Sequence, residues 1–166
     1  MTMLNACFKN TPNARGLQPS HEEITEPLKG VSFETRAFNA LLKNKGKLGI
    51  KQLFRCRASR MDGYLITTQR KIILLEMKER LGWGSVQAAG FQFLAGRQLL
   101  RLQADRGIVV FDRISKEWSQ IKPNGGWGQL ALHSQELSPH IEIGALQVLE
   151  SGHIRTQPPR RARQGG

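Results

Sequence analysis

The sequence of 166 residues lacks several features that would place a protein quickly in a class. No apolar run approaches the ~18 residues that a membrane-spanning helix needs, so no membrane association is expected. The first residues, MTMLNACFKNTPNARG, lack the basic-then-apolar order of a secretory signal peptide. Cysteine is scarce, and Cys7 and Cys56 form neither a CxxC motif nor a metal-ligand spacing. These absences together predict a cytoplasmic protein with reduced thiols.

Motifs of three common kinds of functional site are also missing. The glycine-rich segment GWGSVQAAG does not contain GxxxxGK[ST], so a P-loop nucleotide site is not expected. The histidines, at positions 21, 133, 140 and 153, show no pairing at metal-ligand spacing. His133 and Ser134 form no catalytic triad with an acid that the sequence identifies.

Positive charge is what the sequence has in excess. There are 25 Lys and Arg residues against 13 Asp and Glu, a net charge of +12. The segment from Thr35 to Met61 has no acid and eight basic residues: Arg36, Lys43, Lys45, Lys47, Lys51, Arg55, Arg57 and Arg60. Such clustering is typical of a surface that binds a polyanion, and it favours a nucleic-acid partner. A solvated surface that serves solubility alone is the alternative.

The length and composition predict one folded domain between two looser ends. Residues 1–30 are polar and contain three prolines, which predicts an irregular arm with a short helix near SHEEI. Residues 31–154 carry the periodic apolar segments and form the domain. Residues 155–166 are basic and rich in Pro and Gly, which predicts a disordered tail.

Hydrophobic periodicity within the domain predicts an α/β fold with helices packed on a mixed sheet. SFETRAFNALLKNKG is expected to form a helix that Ser32 caps and that Gly46 and Gly49 end. GWGSVQAAGFQFLAGRQLLRLQ is expected to form a long helix with Ser85 as its cap, its glycines packing closely on the sheet. The predicted strands are KQLFRCRASRM, DGYLIT, KIILLEMK, GIVVFDRI and GQLALHSQEL, while HIEIGALQVLES could be a strand or a short helix.

The predicted hairpin of DGYLIT and KIILLEMK gathers three charged residues. Side chains alternate along a strand, so Glu76 and Lys78 lie on one face. If the turn centres on Gln69, Asp62 lies directly opposite Glu76, with Cβ atoms about 5 Å apart. Two facing carboxylates repel, and a divalent cation that takes carboxylate oxygens removes the repulsion. The alternatives are an Asp62–Gly63 turn and a solvent-exposed pair at the strand end.

Asp62, followed after thirteen residues by Glu76-Met77-Lys78 on an apolar strand, resembles the PD-(D/E)xK nuclease superfamily, which includes restriction endonucleases and Holliday-junction resolvases. The resemblance implies a restriction-endonuclease-like α/β fold, a mixed sheet whose α-β-β-β-α-β core is flanked by helices. It also implies that Asp62 and Glu76 bind Mg²⁺ or Mn²⁺ and that Lys78 is the catalytic lysine. Met61 stands where the family pattern has proline.

The same resemblance implies roles for three further residues. Glu34, in the first predicted helix, has the place of an additional metal-binding glutamate. Gln87 and Gln92, in the helix after Glu-x-Lys, are candidates for a catalytic glutamine of a Q-x-x-x-Y motif. Phe91 stands where that motif has tyrosine, which weakens the link to the branches that carry it.

The function implied is a metal-dependent DNA nuclease that hydrolyses phosphodiester bonds. Arg55, Arg57 and Arg60, on the strand before Asp62, would contact flanking phosphates, with the lysines at 43, 45, 47 and 51 extending the basic surface. The alternative is a non-catalytic nucleic-acid-binding protein of the same fold. Charge alone does not distinguish RNA from DNA as the partner. The oligomeric state is also undecided, and a homodimer is an alternative because nucleases that cut both strands need two sites.

Overall fold

In a computed structural model of the protein, residues 20–57, 59–114 and 141–155 are described. They form a mixed α/β fold of one seven-stranded sheet and three helices. The strands are β1 (Ser20–Glu23), β2 (Ile50–Arg57), β3 (Gly63–Thr67), β4 (Ile72–Leu81), β5 (Arg106–Ile114), β6 (Glu142–Val148) and β7 (Ile154–Arg155). The helices are α1 (Phe33–Lys43), α2 (Lys45–Leu48) and α3 (Trp83–Leu100). None of the helices in these ranges is long and apolar enough to cross a membrane.

The strands lie in the sheet in the order of the chain. Strands β1 to β4 pair antiparallel, β4, β5 and β6 pair parallel, and β7 returns antiparallel to β6. Helix α3 is the crossover between the parallel strands β4 and β5, as a parallel pair requires. The predicted order α-β-β-β-α-β corresponds to α1, β2, β3, β4, α3 and β5, with the four-residue α2 inserted after α1.

The middle of the sheet is buried on both faces because α1 and α3 pack on opposite sides. Leu75 of β4 lies in a core with Phe38 and Leu41 of α1. Its neighbour Leu74 lies in a second core with Val86 and Phe93 of α3. Consecutive residues of β4 therefore enter different cores, which confirms β4 as a central, doubly covered strand.

Helix α1 begins as predicted but ends earlier. The Ser32 hydroxyl accepts a hydrogen bond from the Thr35 amide at 3.2 Å and caps the helix. The helix ends at Lys43 because Asn44 turns the chain, its side-chain amide donating to the Ala40 carbonyl at 2.8 Å. The prediction that Gly46 ends it is wrong. Gly49 does end a helix, the short α2, in a left-handed conformation with φ of 68°.

Helix α3 confirms the predicted long helix but ends at Leu100 rather than Gln103, and its cap differs from the prediction. The N-cap is Gly82, whereas Ser85 lies in the first turn and reaches back. Its hydroxyl accepts from the Gly82 amide at 2.7 Å and donates to the Gly82 carbonyl at 2.9 Å. The close packing expected of the glycines holds at Gly96, where a Cβ would lie 2.5 Å from Met61 Cβ. It does not hold at Gly84, which has open space around it.

The N-terminal part of the domain differs from the prediction. The helix expected near SHEEI is wrong, since Ser20–Glu23 is strand β1, paired with β2. Ile24 follows it into the core, so the sheet begins within the segment 1–30 predicted to be an irregular arm. HIEIGALQVLES forms a strand, β6. Residues 1–19, the predicted strand GQLALHSQEL and residues 156–166 of the predicted tail lie outside the described residues.

Candidate functional site

The site lies where β3 begins beside β4. Gly63 pairs with Leu75 and Tyr64 with Leu74, which confirms the register predicted from a turn at Gln69. Asp62, one residue before β3, therefore lies beside Glu76. The Asp62 amide donates to Glu76 Oε2 at 3.2 Å, and the Met77 amide donates to Asp62 Oδ2 at 2.7 Å. Each carboxylate thus binds a backbone amide on the opposite strand.

Gly63 explains how Asp62 comes so close to the sheet. A Cβ at this position would lie 2.3 Å from the Phe54 carbonyl oxygen and 2.9 Å from Phe38 Cζ. Only glycine fits such a contact without displacement of the backbone. The interpretation of Asp62–Gly63 as a turn pair is therefore wrong, because Gly63 is the first residue of a strand.

Glu76 and Lys78 form a partly buried ion pair. Lys78 Nζ lies 3.1 Å from Glu76 Oε1, and alternation along β4 places both side chains on the α3 face of the sheet. Glu76 is only 2% exposed, while the Lys78 side chain is 22% exposed. The alternative of a solvent-exposed pair at the strand end is therefore wrong for the carboxylate, which lies at the border of the core.

Burial makes the ionised carboxylates unfavourable. Burial raises the pKa of Glu76 to about 8, and the Asp62 carboxylate adds to the rise, while Lys78 and the Asp62 amide oppose it. Burial also raises the pKa of Asp62, against the lowering effect of the Met77 amide, and the Glu34 carboxylate raises it further. Near neutral pH the Asp62–Glu76 pair therefore retains a proton, and a bound cation would be needed to ionise both carboxyls.

Glu34 lies in the first turn of α1, close enough to affect Asp62 but engaged elsewhere. Its Oε1 lies 3.3 Å from Arg55 Nε in an ion pair between α1 and β2. Across the described ranges, no group of three or more His, Cys, Asp or Glu side chains is placed to hold a metal ion. The predicted metal-binding trio is thus present as one adjacent pair, Asp62 and Glu76, with Glu34 at its side.

The chemistry of this pair fits a hard divalent cation. Mg²⁺ is bound in many enzymes by one or two carboxylates, and waters and substrate phosphate oxygens complete its coordination. Asp62 and Glu76 supply two carboxylates, each with an oxygen that accepts no backbone amide. A cation between them would also stabilise both ionised carboxylates and so offset the burial that raises their pKa values. These two residues would hold the ion.

The two candidate glutamines have different surroundings. Gln87 is exposed, beside Phe91 and Leu94 on the outer side of α3. Gln92 is half-buried, and its Oε1 is shielded from solvent without a hydrogen-bond partner among the described residues. Gln92 lies one helical turn before Gly96, which packs on Met61, the residue preceding Asp62. The position of Gln92 therefore suits a site residue better than that of Gln87.

The predicted basic surface divides into two groups at opposite ends of β2. Near Asp62, Arg55 pairs with Glu34, Arg57 lies 3.6 Å from Glu22, and Arg60 is exposed. Lys51 lies near the start of β2, roughly 20 Å from Arg57 at about 3.3 Å per residue. The other lysines, Lys43, Lys45 and Lys47, belong to the end of α1 and to α2, on the Lys51 side.

Sequence reasoning missed Arg80. It follows Lys78 by two residues, near the end of β4. It is exposed, and it forms no ion pair with any described residue. Its place two residues after Lys78 was the signal that could have identified Arg80 as the next cation along β4.

Comparisons of the chain with protein-family models, with curated proteins and with solved structures find no match. The resemblance to the PD-(D/E)xK superfamily stays a prediction that rests on Asp62, Glu76 and Lys78 and on the order of the elements around them.

Proposed function

We propose that the protein is a metal-dependent DNA nuclease of the PD-(D/E)xK type, which hydrolyses phosphodiester bonds with Mg²⁺ or Mn²⁺. The observation that carries the proposal is the buried Glu76 carboxylate beside Asp62, with Lys78 Nζ at 3.1 Å. Placing two carboxyls together at the border of a core opposes folding, and neither is needed to fill space there. Such unfavourable arrangements are concentrated at functional sites.

The fold supports the same proposal at a coarser level. We assign α1, β2, β3, β4, α3 and β5 to a restriction-endonuclease-like core, because this order is the one that the resemblance implies. The three charged residues lie in the hairpin that the family uses, and Glu34 lies on the helix before it. The basic residues around Asp62 and the net charge of +12 favour a polyanionic substrate, for which we choose DNA.

In the proposed reaction, a water oxygen forms a bond to phosphorus while the bond to one ester oxygen breaks, and that oxygen gains a proton. Bound Mg²⁺ would polarise the phosphate and lower the pKa of the attacking water. Lys78, partly exposed, can turn from Glu76 towards the substrate, where its ammonium group donates to the water or to a phosphate oxygen. Arg80, exposed two residues after Lys78, would contact a neighbouring phosphate, and the side-chain amide of Gln92 would orient the site through a hydrogen bond.

The test is cleavage of DNA by single variants. Asp62→Ala, Glu76→Ala and Lys78→Ala should each lower the Mg²⁺-dependent rate by at least ~10²–10³-fold and leave the fold and DNA binding largely intact. Glu79→Ala is the matched control, since Glu79 lies on the same strand, exposed and paired with Arg113 at 3.4 Å. Cleavage at the wild-type rate by Glu76→Ala would refute the assignment. Linear, supercoiled, branched and single-stranded DNA, with RNA alongside, would define the substrate.

A second candidate function is non-catalytic nucleic-acid binding, which a specific observation favours. Asp62 and Glu76 each accept a backbone amide at the end of the β3–β4 ladder, and this structural role alone could explain both residues. Calorimetric titration with Mg²⁺ or Mn²⁺ separates the candidates. A nuclease should bind the metal and lose it in Glu76→Ala, whereas a binding protein should show no metal-dependent heat in either form.

A further inference from the structure

Helix α3 exposes a face without charge. Among its 18 residues only Arg97 is charged, in a chain in which 23% of residues are charged. Val86, Ala89 and Phe93 face the sheet and are fully buried. Helical spacing places Gly84, Gln87, Ala88, Phe91, Ala95 and Gln98 on the opposite side, which we call the outer face. At its centre, Phe91 is 65% exposed, a large apolar side chain in contact with solvent.

The charge of the chain indicates what covers this face. The outer face offers no cation to a phosphate, so it does not suit DNA. Two copies of a chain with net charge +12 repel each other wherever Lys and Arg side chains meet. The outer face is a surface where they can approach without opposing like charges. Exposed aromatic side chains surrounded by small or uncharged residues are typical of the centre of protein interfaces.

We propose that two copies of the chain associate through the outer face of α3, antiparallel about a two-fold axis that passes beside Phe91. Phe91 has eight helix residues before it and nine after it, so this axis overlaps the helices along nearly their whole length of about 27 Å. An isologous contact of this kind is the commonest form of homodimer.

The residues that oppose each other in this arrangement are complementary in size and charge. Phe91 meets Phe91 of the second copy, and Gln87 meets Ala95. Gly84 meets Gln98, so small residues flank the aromatic pair and let the helix axes come within about 8–10 Å. Arg97 lies one turn after the buried Phe93 and donates to the Ala104 carbonyl at 2.9 Å, so the single charge of the helix stays off the outer face.

The dimer does not depend on the proposed nuclease activity, and it can be tested without metal or DNA. If both proposals hold, the particle carries two Asp62–Glu76 sites. Because Gly82 alone separates α3 from β4, each site would be coupled rigidly to the shared helix pair.

The first experiment measures mass by sedimentation velocity across a range of concentrations. The wild-type protein should form a dimer, and Phe91→Glu should weaken it by about a thousand-fold, because two rings leave the interface and two like charges enter it. Val31→Glu is the matched control, since Val31 is fully exposed but lies outside α3. A wild-type protein that stays monomeric at ~100 μM, or a Phe91→Glu protein that dimerises equally well, would overturn the proposal.

The second experiment tests the antiparallel geometry by oxidation of cysteine variants in a Cys7→Ser background, where Cys56 is buried. The double variant Gln87→Cys/Ala95→Cys keeps Phe91 and places each new cysteine opposite one of the second copy, so it should link rapidly into a covalent dimer, whereas the two cysteines of one helix lie about 12 Å apart. Gln98→Cys, on the same face, should stay unlinked, because the two copies lie about 20 Å apart along the helix axes. Equal linking of both variants would exclude the antiparallel pair, and linking of neither would exclude the interface. Circular dichroism confirms that each variant is folded.

Discussion

Glu76→Gln should stabilise the protein in the absence of metal, although it removes a residue of the proposed active site. The substitution keeps the size of the side chain and one oxygen that can accept from the Asp62 amide. It removes a carboxyl whose pKa burial raises from 4.5 to about 8 in the folded protein. The folded state therefore holds a proton that the unfolded state has already released at neutral pH.

The sign of the effect follows from proton linkage. Between pH 4.5 and about 8 the unfolded state binds fewer protons than the folded state, so stability falls as pH rises through this range. Below pH 4.5 Glu76 is protonated in both the folded and the unfolded state, and the stability is fully present. Above about pH 8 Glu76 is ionised in both states, and the loss of stability is complete. At 1.36 kcal/mol per unit, the full loss is about 5 kcal/mol as an upper value. The pKa of about 8 already includes the favourable effect of Lys78, and screening by solvent at the edge of the core reduces the expected net gain of Glu76→Gln to about 2–4 kcal/mol.

The assay is urea denaturation of both proteins in EDTA at several pH values from 4 to 9. The difference in the free energy of unfolding should be near zero at pH 4, rise with pH and level off above about 8. At pH 9 the variant should melt roughly 5–15 °C higher. Glu79→Gln, an exposed control on the same strand, should show no such trend. A difference that is constant with pH, or a variant that is less stable at pH 9, would refute the reasoning.

Three other substitutions test the surroundings of the pair. Lys78→Met should lower the rate of DNA cleavage by at least ~10²-fold but leave Mg²⁺ binding measurable by calorimetry. Loss of both cleavage and Mg²⁺ binding would show that the lysine only supports the carboxylates. Arg80→Gln should weaken DNA binding several-fold and lower the salt dependence of the affinity by the equivalent of about one phosphate contact. Lys71→Gln, at the other end of the strand, is the control, and equal effects of the two variants would exclude a specific role for Arg80. Gly63→Ala should destabilise the protein by more than ~3 kcal/mol, because its Cβ would lie 2.3 Å from the Phe54 carbonyl oxygen. Gly46→Ala, which has open space around it, should change the stability little. Similar urea unfolding curves for the two variants would contradict the packing argument.

The hairpin could be predicted from the sequence because its geometry is local. A short turn at Gln69 and the alternation of side chains determine the register, and the structure pairs Gly63 with Leu75 as that register requires. The same alternation placed Glu76 with Lys78. Arg80, two residues further along β4, was not singled out because the motif of the family ends at the lysine.

Other features depended on contacts between distant segments and could not be predicted. Ser20–Glu23 forms β1 because the edge of β2 offers backbone partners, and this outweighs any local preference of the sequence SHEE. Glu34 was expected at the metal, but Arg55 binds it across 21 residues of sequence. The basic segment appears continuous in the sequence, yet β2 carries its two halves to opposite ends of the sheet.

The position of the site follows from the unequal lengths of two neighbouring strands. β4 continues to Leu81, whereas β3 begins opposite Leu75, so the residues of β4 from Glu76 onwards extend beyond β3. The backbone amides of Asp62 and Met77 at this end of the ladder bind carboxylate oxygens in place of carbonyl partners. This hydrogen bonding compensates only part of the cost of burial, since both pKa values are raised. On this stretch of β4 Lys78 is partly exposed and Arg80 is exposed, so both cations are accessible to solvent. The structural and proposed catalytic roles of the two acids are therefore compatible, and the pH dependence of Glu76→Gln measures how much stability the site sacrifices.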